Sequence, residues 1–432
     1  MPVDFMAGFG EVLQGEETSM RVGLIGYGKM GKALFHLLVQ GGHEVTVVCR
    51  TEESAKEHEA QFLKKTANAW KRAGNPPDRI AEKLEAMKTS IRFSASLNAL
   101  EGADAVMESM TEDLELKKRM FQEIEKVVSS SAWILTNTSS LSIDAMADAL
   151  RCKERFCGFH LFHPTALIPL VEIVTGQSTS PSLVEALFPF ARGLGRTPIR
   201  VADGPGSVIN GILVHYYAEA VYLIEEGLAL PSEVDQAAKR YFYVGPIESI
   251  DTIGIELFLT GVKSAPDVYS VCPIRLHADA DERTGMARPE AGARPGYHCP
   301  ALLLKVLRDE RMGRAAGKGI YLYQGGKAVD DDPMYYLDTS RFPKRADRPI
   351  EEEAIVRRLL YAVLNGALWI LHLGVATPEA VDIGVQEVLQ MKEGPVAMMR
   401  RMGYETVREQ FDALAAEWGL RFHPPNLASI FQ

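Results

Sequence analysis

The 432-residue chain is poor in cysteine: it has five, at positions 49, 152, 157, 272 and 299. The number is odd and the spacing wide. Cys152 and Cys157 are separated by four residues, so they form no Cys-x-x-Cys unit. This argues against a disulfide framework and against a metal site, and predicts reduced thiols in a cytoplasmic compartment. Positive charge is also in deficit. There are 47 basic and 57 acidic residues, a net charge of −10. That argues against nucleic acid as a partner, although a local basic pocket for a phosphorylated ligand stays compatible with it. Long apolar runs are missing as well. The longest, Leu359 to Leu371, is too short to span a bilayer and contains Asn365, so no membrane partner is expected. The first twenty residues hold no Lys or Arg and carry Asp4, Glu11, Glu16 and Glu17. That pattern suits neither a secretory signal nor a transit peptide, and residues 1–20 read as an appended tail, with Met20 an alternative start.

What is present is ordinary globular material, 47% apolar and 24% charged. At roughly 150 residues per domain the length predicts about three domains. The folded region opens at Arg21 with a short apolar strand, Arg21 to Ile25. Gly26-Tyr27-Gly28-Lys29-Met30-Gly31 follows directly. A helix-spaced apolar set (Ala33, Leu34, Leu37, Leu38) comes next, then Gly41-Gly42 and a second strand, Val45 to Val48. Strand, glycine loop, helix, strand is the context that gives a Gly-x-Gly-x-x-Gly run meaning. Gly26 permits the tight turn, Gly28 lets a pyrophosphate approach the backbone, and Gly31 lets helix and strand pack closely.

After the second strand an acid usually binds the ribose of NAD. Here the chain reads Cys49-Arg50-Thr51, with Glu52 and Glu53 just beyond. Arg50 would suit the 2′-phosphate of NADP; alternatively it is a surface charge, and Glu52 or a backbone group serves the ribose. Both cofactors stay open on the residues alone.

Residues 52–90 read as a charged helical hairpin broken at Asn75-Pro76-Pro77. Strand-like runs resume at Ala105–Met107 and Trp133–Thr136. The alternation predicts a parallel, doubly wound α/β sheet. Beyond Asp203-Gly204-Pro205-Gly206 the pattern turns to long amphipathic helices, interrupted by loop-rich stretches at 262–300 and 325–349. One segment recurs. Shifted by 147 positions, Gly227 meets Gly374, Pro231 meets Pro378 and Asp235 meets Asp382. After a two-residue slip Gly245-Pro246 meets Gly394-Pro395 and Gly254 meets Gly403. Punctuation residues that keep register point to a duplicated helical unit.

Three further segments carry candidate chemistry: Thr136-Asn137-Thr138-Ser139-Ser140 after a strand, His160-Leu161-Phe162-His163-Pro164 followed by Leu170-Val171-Glu172, and Asn210 at the start of a helix. Glu172 lies in an apolar run, where a carboxylate needs a partner, and His160 is twelve residues earlier.

Together these segments resemble the L-3-hydroxyacyl-CoA dehydrogenase family, over about Arg21 to Tyr323 and less closely to the C-terminal end. The order and spacing of Ser139, His160, Glu172 and Asn210 carry the resemblance, with Lys318-Gly319-Ile320-Tyr321. It implies a Rossmann-type sheet over 21–202, an all-α domain over 203–330, and a degenerate second copy over 350–432. The implied reaction interconverts L-3-hydroxyacyl-CoA and 3-ketoacyl-CoA in fatty acid oxidation. His160 would be the general base, Glu172 would hold the imidazole, and Ser139 and Asn210 would bind the substrate oxygen. The implied cofactor contacts are Gly26, Gly28, Met30, Gly31, Arg50, Glu112, Lys117, Asn137 and His163. Lys65 and Arg72 match positions that meet coenzyme A, with an ordinary solvated helix face as the plainer reading.

His163 departs from the family's usual Asn. Residues 283–297 read as an insertion. The second copy has Arg357 where the first has Asn210, and no glycine loop or His-Glu pair, so it reads as structural. The chain would then be a monomer with an internal pseudo-dimer, or a homodimer. Two other readings remain: a dehydrogenase of a small hydroxy acid, such as a sugar acid, and an inactive cofactor-binding scaffold.

Overall fold

The computed structural model describes residues 19–204, 207–256, 258–259, 300–336, 350–425 and 427–431. The expected tail up to residue 18, the insertion at 283–297 and the linker from 337 to 349 lie outside the described residues. The chain divides into two compact units, one ending at Asp203 and one beginning at Gly204.

The first unit is built on eight strands: β1 (Arg21–Ile25), β2 (Glu44–Val48), β3 (Ile91–Ser94), β4 (Ala105–Glu108), β5 (Trp133–Thr136), β6 (Phe156–Leu161), β7 (Leu170–Thr175) and β8 (Thr197–Ala202). Their order is β3-β2-β1-β4-β5-β6-β7-β8. Six helices connect them: α1 (Lys29–Gln40), α2 (Glu52–Arg72), α3 (Pro77–Ser90), α4 (Leu114–Val127), α5 (Ile143–Ala147) and α6 (Pro181–Gly193). Alternate side chains of the strands enter two cores. Val22, Leu24, Val45 and Val47 pack with Leu34, Phe35 and Leu38 of α1 on one face. Ile25, Val106 and Ile134 pack with Phe121 and Ile124 of α4 on the other. Burial on both faces is why these strands read as continuous apolar runs.

The sheet is not wholly parallel. Strand β7 runs antiparallel to β6, and β8 is parallel to β7. The connection from Phe162 to Pro169 is too short for the crossover helix that a parallel partner needs. The sheet is otherwise parallel, as expected, and this one antiparallel step determines the site described below.

The second unit is helical: α7 (Val208–Glu225), α8 (Pro231–Ala238), α9 (Pro246–Ile253), α10 (Ala301–Arg308), α11 (Glu352–His372), α12 (Pro378–Leu389), α13 (Pro395–Met402) and α14 (Tyr404–Trp418). The recurrent punctuation has the same job in each copy. Asp235 accepts hydrogen bonds from the amides of Ile247 (2.8 Å) and Glu248 (3.0 Å) at the start of α9. Asp382 does the same for Val396 (2.7 Å) and Ala397 (3.0 Å) at the start of α13. A Cβ on Gly245 or on Gly394 would lie 2.3 Å from the carboxyl group of its own aspartate. Glycine is therefore required where each cap forms.

The two copies meet along α7 and α11. Arg358 (1% exposed) is ion-paired with Glu219 (0%) and reaches Glu226 at 2.9 Å. Arg421 lies 3.0 Å from Glu219 and 2.7 Å from Glu226. The Arg358 guanidinium also stacks over Trp418 at 4.0 Å. Helix α11 extends beyond the apolar run seen in the sequence. Its 21 residues are long and apolar enough to cross a bilayer, and 78% of its most apolar window is buried within the protein.

Candidate active site

The three glycines of the loop stand in different surroundings. Gly26 has φ +94°, and a Cβ there would come 2.5 Å from the Ser109 carbonyl oxygen. A Cβ on Gly31 would lie 2.2 Å from the Gly26 carbonyl oxygen. By contrast a Cβ on Gly28 would meet nothing within 4 Å. Gly28 is the N-cap of α1 and supplies no capping side chain. The first amides of α1 thus lack a side-chain cap, and a helix start of this kind can hydrogen-bond an anion and offer it the favourable end of the helix dipole. Met30 is half-buried behind the loop, against the core.

The end of β2 is tied to this loop by a hydrogen bond from the Gly26 amide to the Val48 carbonyl (3.2 Å). Arg50, two residues further, is exposed.

Strands β4 and β5 supply a second cluster. Glu108 ends β4 with its carboxylate fully buried. It accepts from Lys117 Nζ at 2.7 and 2.9 Å, from Thr136 Oγ1 at 2.6 Å and from the Met110 amide. Lys117 is 1% exposed and also lies 3.2 Å from Glu112. Glu112 in turn accepts from the Thr138 hydroxyl, the Ser139 amide (3.1 Å) and Ser140 Oγ (3.0 Å). Burial alone would raise the Glu112 carboxyl, but the Lys117 ammonium and the hydrogen bonds from Thr138 and Ser140 outweigh it and hold it low. Lys117 thus acts on the site through Glu112, and Glu112 pins the loop that presents Ser139. The Ser139 side chain is exposed. Glu108, Thr136 and Thr138 went unremarked as a group in the sequence. The available signal was an acid closing an apolar strand with a lysine nine residues later.

The antiparallel step from β6 to β7 creates the next pair. His160 and Glu172 are directly opposite in register. His160 Nδ1 is 2.9 Å from Glu172 Oε2, and the side chains are 7% and 0% exposed. A carboxylate beside Nδ1 makes that nitrogen the N–H donor, which leaves Nε2 with the lone pair. The neighbouring Leu161 amide donates to Asn137 Oδ1 at 2.9 Å, joining the loop after β5 to the end of β6. Asn137 is thereby fixed beside the imidazole strand. His163 keeps much of its surface in solvent but its ring is partly desolvated, and that partial desolvation, then the Lys29 ammonium, pushes its pKa below the usual imidazole value. Lys29 is the first residue of α1, so the His163 loop stands near the glycine loop.

Lys65 and Arg72 are both exposed on α2, seven residues and about two turns apart, and so share a face. Asn210 lies in the second unit, in the first turn of α7, where its amide donates to Ser207 Oγ at 3.4 Å. Arg357 of α11 is exposed. Among the described residues no group of three or more His, Cys, Asp or Glu is arranged to hold a metal ion.

Comparison with known proteins places these elements in a lineage. Residues 21–204 match the family model described as 3-hydroxyacyl-CoA dehydrogenase, NAD binding domain. Residues 206–323 and again 355–431 match 3-hydroxyacyl-CoA dehydrogenase, C-terminal domain. The fatty acid oxidation complex subunit alpha of Shewanella sp. (strain MR-7) is 31% identical over 360 residues, covering 81% of this chain and 47% of that protein. The chain thus spans about half the length of the relatives it matches. Among solved structures, 3-hydroxybutyryl-CoA dehydrogenase from Escherichia coli K12 superposes with a TM-score of 0.75 at 22% identity, over 96% of this chain and 98% of that one. The (S)-3-hydroxybutyryl-CoA dehydrogenase PaaH1 from Ralstonia eutropha gives 0.59 at 26% identity, over 71% and 100%.

Proposed function

Since the chain belongs to the 3-hydroxyacyl-CoA dehydrogenase family, we propose that it interconverts L-3-hydroxyacyl-CoA and 3-ketoacyl-CoA with NAD, through His160 and Glu172. The observation that carries this reading is the buried carboxylate 2.9 Å behind an imidazole near the C-terminal end of β6. Bound NAD supplies the hydride acceptor at its nicotinamide ring. The glycine loop, Gly26 to Gly31, would hold the pyrophosphate, for which the open space over Gly28 leaves room. His160 Nε2 takes the hydroxyl proton of the substrate in the oxidative direction and returns it in reduction. Glu172 holds the imidazole in one tautomer and offsets the charge of the imidazolium. Ser139 donates a hydrogen bond to the substrate oxygen. Asn137 and Glu112 keep the surrounding loop in place.

We also assign the second helical copy a structural role, filling within one chain the face that a second subunit would otherwise cover. The Arg358–Glu219 and Arg421–Glu226 pairs support it. A reducing, cytoplasmic setting is supported by the buried free thiols of Cys49 and Cys157.

The test is oxidation of NADH by acetoacetyl-CoA, followed at 340 nm, with acetoacetate as the free-acid control. Turnover of the thioester alone, abolished by His160→Gln with the circular dichroism spectrum intact, is the expected result. Turnover of the free acid alone would reassign the substrate, and no turnover by the native chain would make it a scaffold.

A further inference from the structure

Resting on the assignment of the glycine loop as a dinucleotide site, we propose that Arg50 lets this chain accept a 2′-phosphorylated nicotinamide dinucleotide as well as NAD.

The position is set by backbone contacts. The Gly26 amide holds the Val48 carbonyl at 3.2 Å, so the residues that follow β2 lie beside the loop that takes the pyrophosphate. In sheets of this kind those residues meet the adenosine ribose. An acid there accepts the ribose hydroxyls and repels a 2′-phosphate. Here the first residue beyond β2 is Cys49. It is 9% exposed, and its amide is bound to the Ser94 carbonyl at 2.8 Å. Burial, then the nearby Glu52, raise its thiol pKa, so the group stays neutral and repels no anion. The next acid, Glu52, is engaged elsewhere. Its Oε1 accepts from the Ala95 amide at 2.9 Å, just past the end of β3. Strand β3 lies on the far side of β2 from β1. That contact draws the carboxylate away from the glycine loop.

Arg50 stands between these two residues. It is exposed and has no hydrogen bond or ion pair with any other described residue. Its guanidinium is therefore not neutralised by a carboxylate. The backbone around it is fixed, because Thr51 Oγ1 accepts from the Ser54 amide at 3.1 Å and caps α2. A guanidinium beside the ribose can bind a phosphate through two parallel N–H bonds, a geometry that lysine lacks. Coenzyme A also carries a ribose phosphate, at the 3′ position. The two ligands share this chemistry and have to be separated by experiment.

The experiment is isothermal titration of the full chain with 5′-ADP, 2′,5′-ADP and 3′,5′-ADP, for the native protein, Arg50→Gln, Arg50→Lys and Cys49→Asp. Native protein is expected to bind 2′,5′-ADP about as well as 5′-ADP. Arg50→Gln should weaken 2′,5′-ADP by about tenfold or more and leave 5′-ADP unchanged. Arg50→Lys should keep part of the affinity, and Cys49→Asp should lose it through repulsion. A native preference of more than about a hundredfold for 5′-ADP would overturn the proposal, as would equal losses for both probes on Arg50→Gln. A loss confined to 3′,5′-ADP would also overturn it and give the arginine to coenzyme A. If no adenine nucleotide binds at all, the dinucleotide reading of the loop fails first, and that outcome is distinct from 5′-ADP binding with no effect at Arg50.

Discussion

Replacing Glu172 by glutamine tests the site most directly. The side chain keeps its shape and loses its charge. Because Glu172 is fully buried and opposite His160 in the strand register, neither residue can move away to relax the change. Two effects then act on the imidazole. The charge-assisted hydrogen bond at 2.9 Å becomes a neutral one. Hydrogen bonds to charged groups contribute about 1.5–3 kcal/mol, against about 1 for neutral ones. The imidazolium formed as the proton is taken also loses its counter-charge. At about 4 Å between charge centres, an effective dielectric of about 20 gives roughly 4 kcal/mol as an upper bound. The barrier should therefore rise by about 1.5–4 kcal/mol, which is about tenfold to a thousandfold in kcat. KM for acetoacetyl-CoA and the Kd for NADH should stay within about threefold, since neither ligand touches Glu172 in this account. The measurement is steady-state kinetics with both substrates varied, alongside NADH titration by fluorescence. A kcat within about threefold of native would refute the argument that the buried carboxylate supports proton transfer. So would a loss confined to KM.

Four other outcomes are expected. Gly26→Ala should lower stability by about 1–3 kcal/mol in urea unfolding, because of the positive φ and the Ser109 carbonyl. Gly28→Ala should fold normally and weaken NADH binding, since its Cβ projects into the open space reserved for the pyrophosphate; normal binding by Gly28→Ala would remove the loop from the site. Arg358→Met leaves buried Glu219 with Arg421 as its remaining cation and should cost about 3 kcal/mol. Adding Glu219→Gln should restore part of that loss, and strictly additive losses would show that the pair is not coupled. Burial raises the Glu225 pKa from 4.5 to about 7, against the hydrogen bond from the Leu302 amide. Its folded-state pKa lies above the unfolded value, so its contribution is fully present below pH 4.5 and is lost as pH rises through about 7. Glu225→Gln should therefore gain up to about 3 kcal/mol relative to native at pH 8 and little at pH 4; a gain equal at both pH values would disprove the titration.

The parts of this molecule that could be read from sequence are those whose physics is local. The glycine loop is one, because turn, helix start and close packing each demand a missing Cβ within six residues. The repeat is another. Gly245 and Gly394 keep register because each lies against a capping aspartate, a requirement stated within about a dozen residues. The spacing of His160 and Glu172 is visible in the sequence, but its cause is not. His160 and Glu172 meet because β7 turns back on β6, and a Pro-containing link of eight residues was the cue. Glu108, Lys117 and Glu112 were harder. They come from a strand, a helix and the loop between them, and only tertiary packing shows that two acids share one buried ammonium. Arg50 was noted as a departure in the sequence, but the engagement of Glu52 by Ala95 depends on a strand more than forty residues away.

The contact between α7 and α11 has one more implication. Carry each residue to its counterpart 147 positions away, and Glu219 becomes Gly366 while Arg358 becomes Gly211. Acid meets cation in one half of the crossing. In the other half both counterparts are glycines, and a Cβ on Gly366 would come 3.0 Å from the Ile212 Cα. A twofold assembly of identical copies could not be built this way, because Glu219 would face a glycine and bury its charge twice without a cation. Within one chain the two sides of the contact need not match, and here each copy supplies a different side of an unequal interface. Two first copies set against each other, or two second copies, would lose the Glu219–Arg358 pairing, whereas any first copy set against a second copy keeps it.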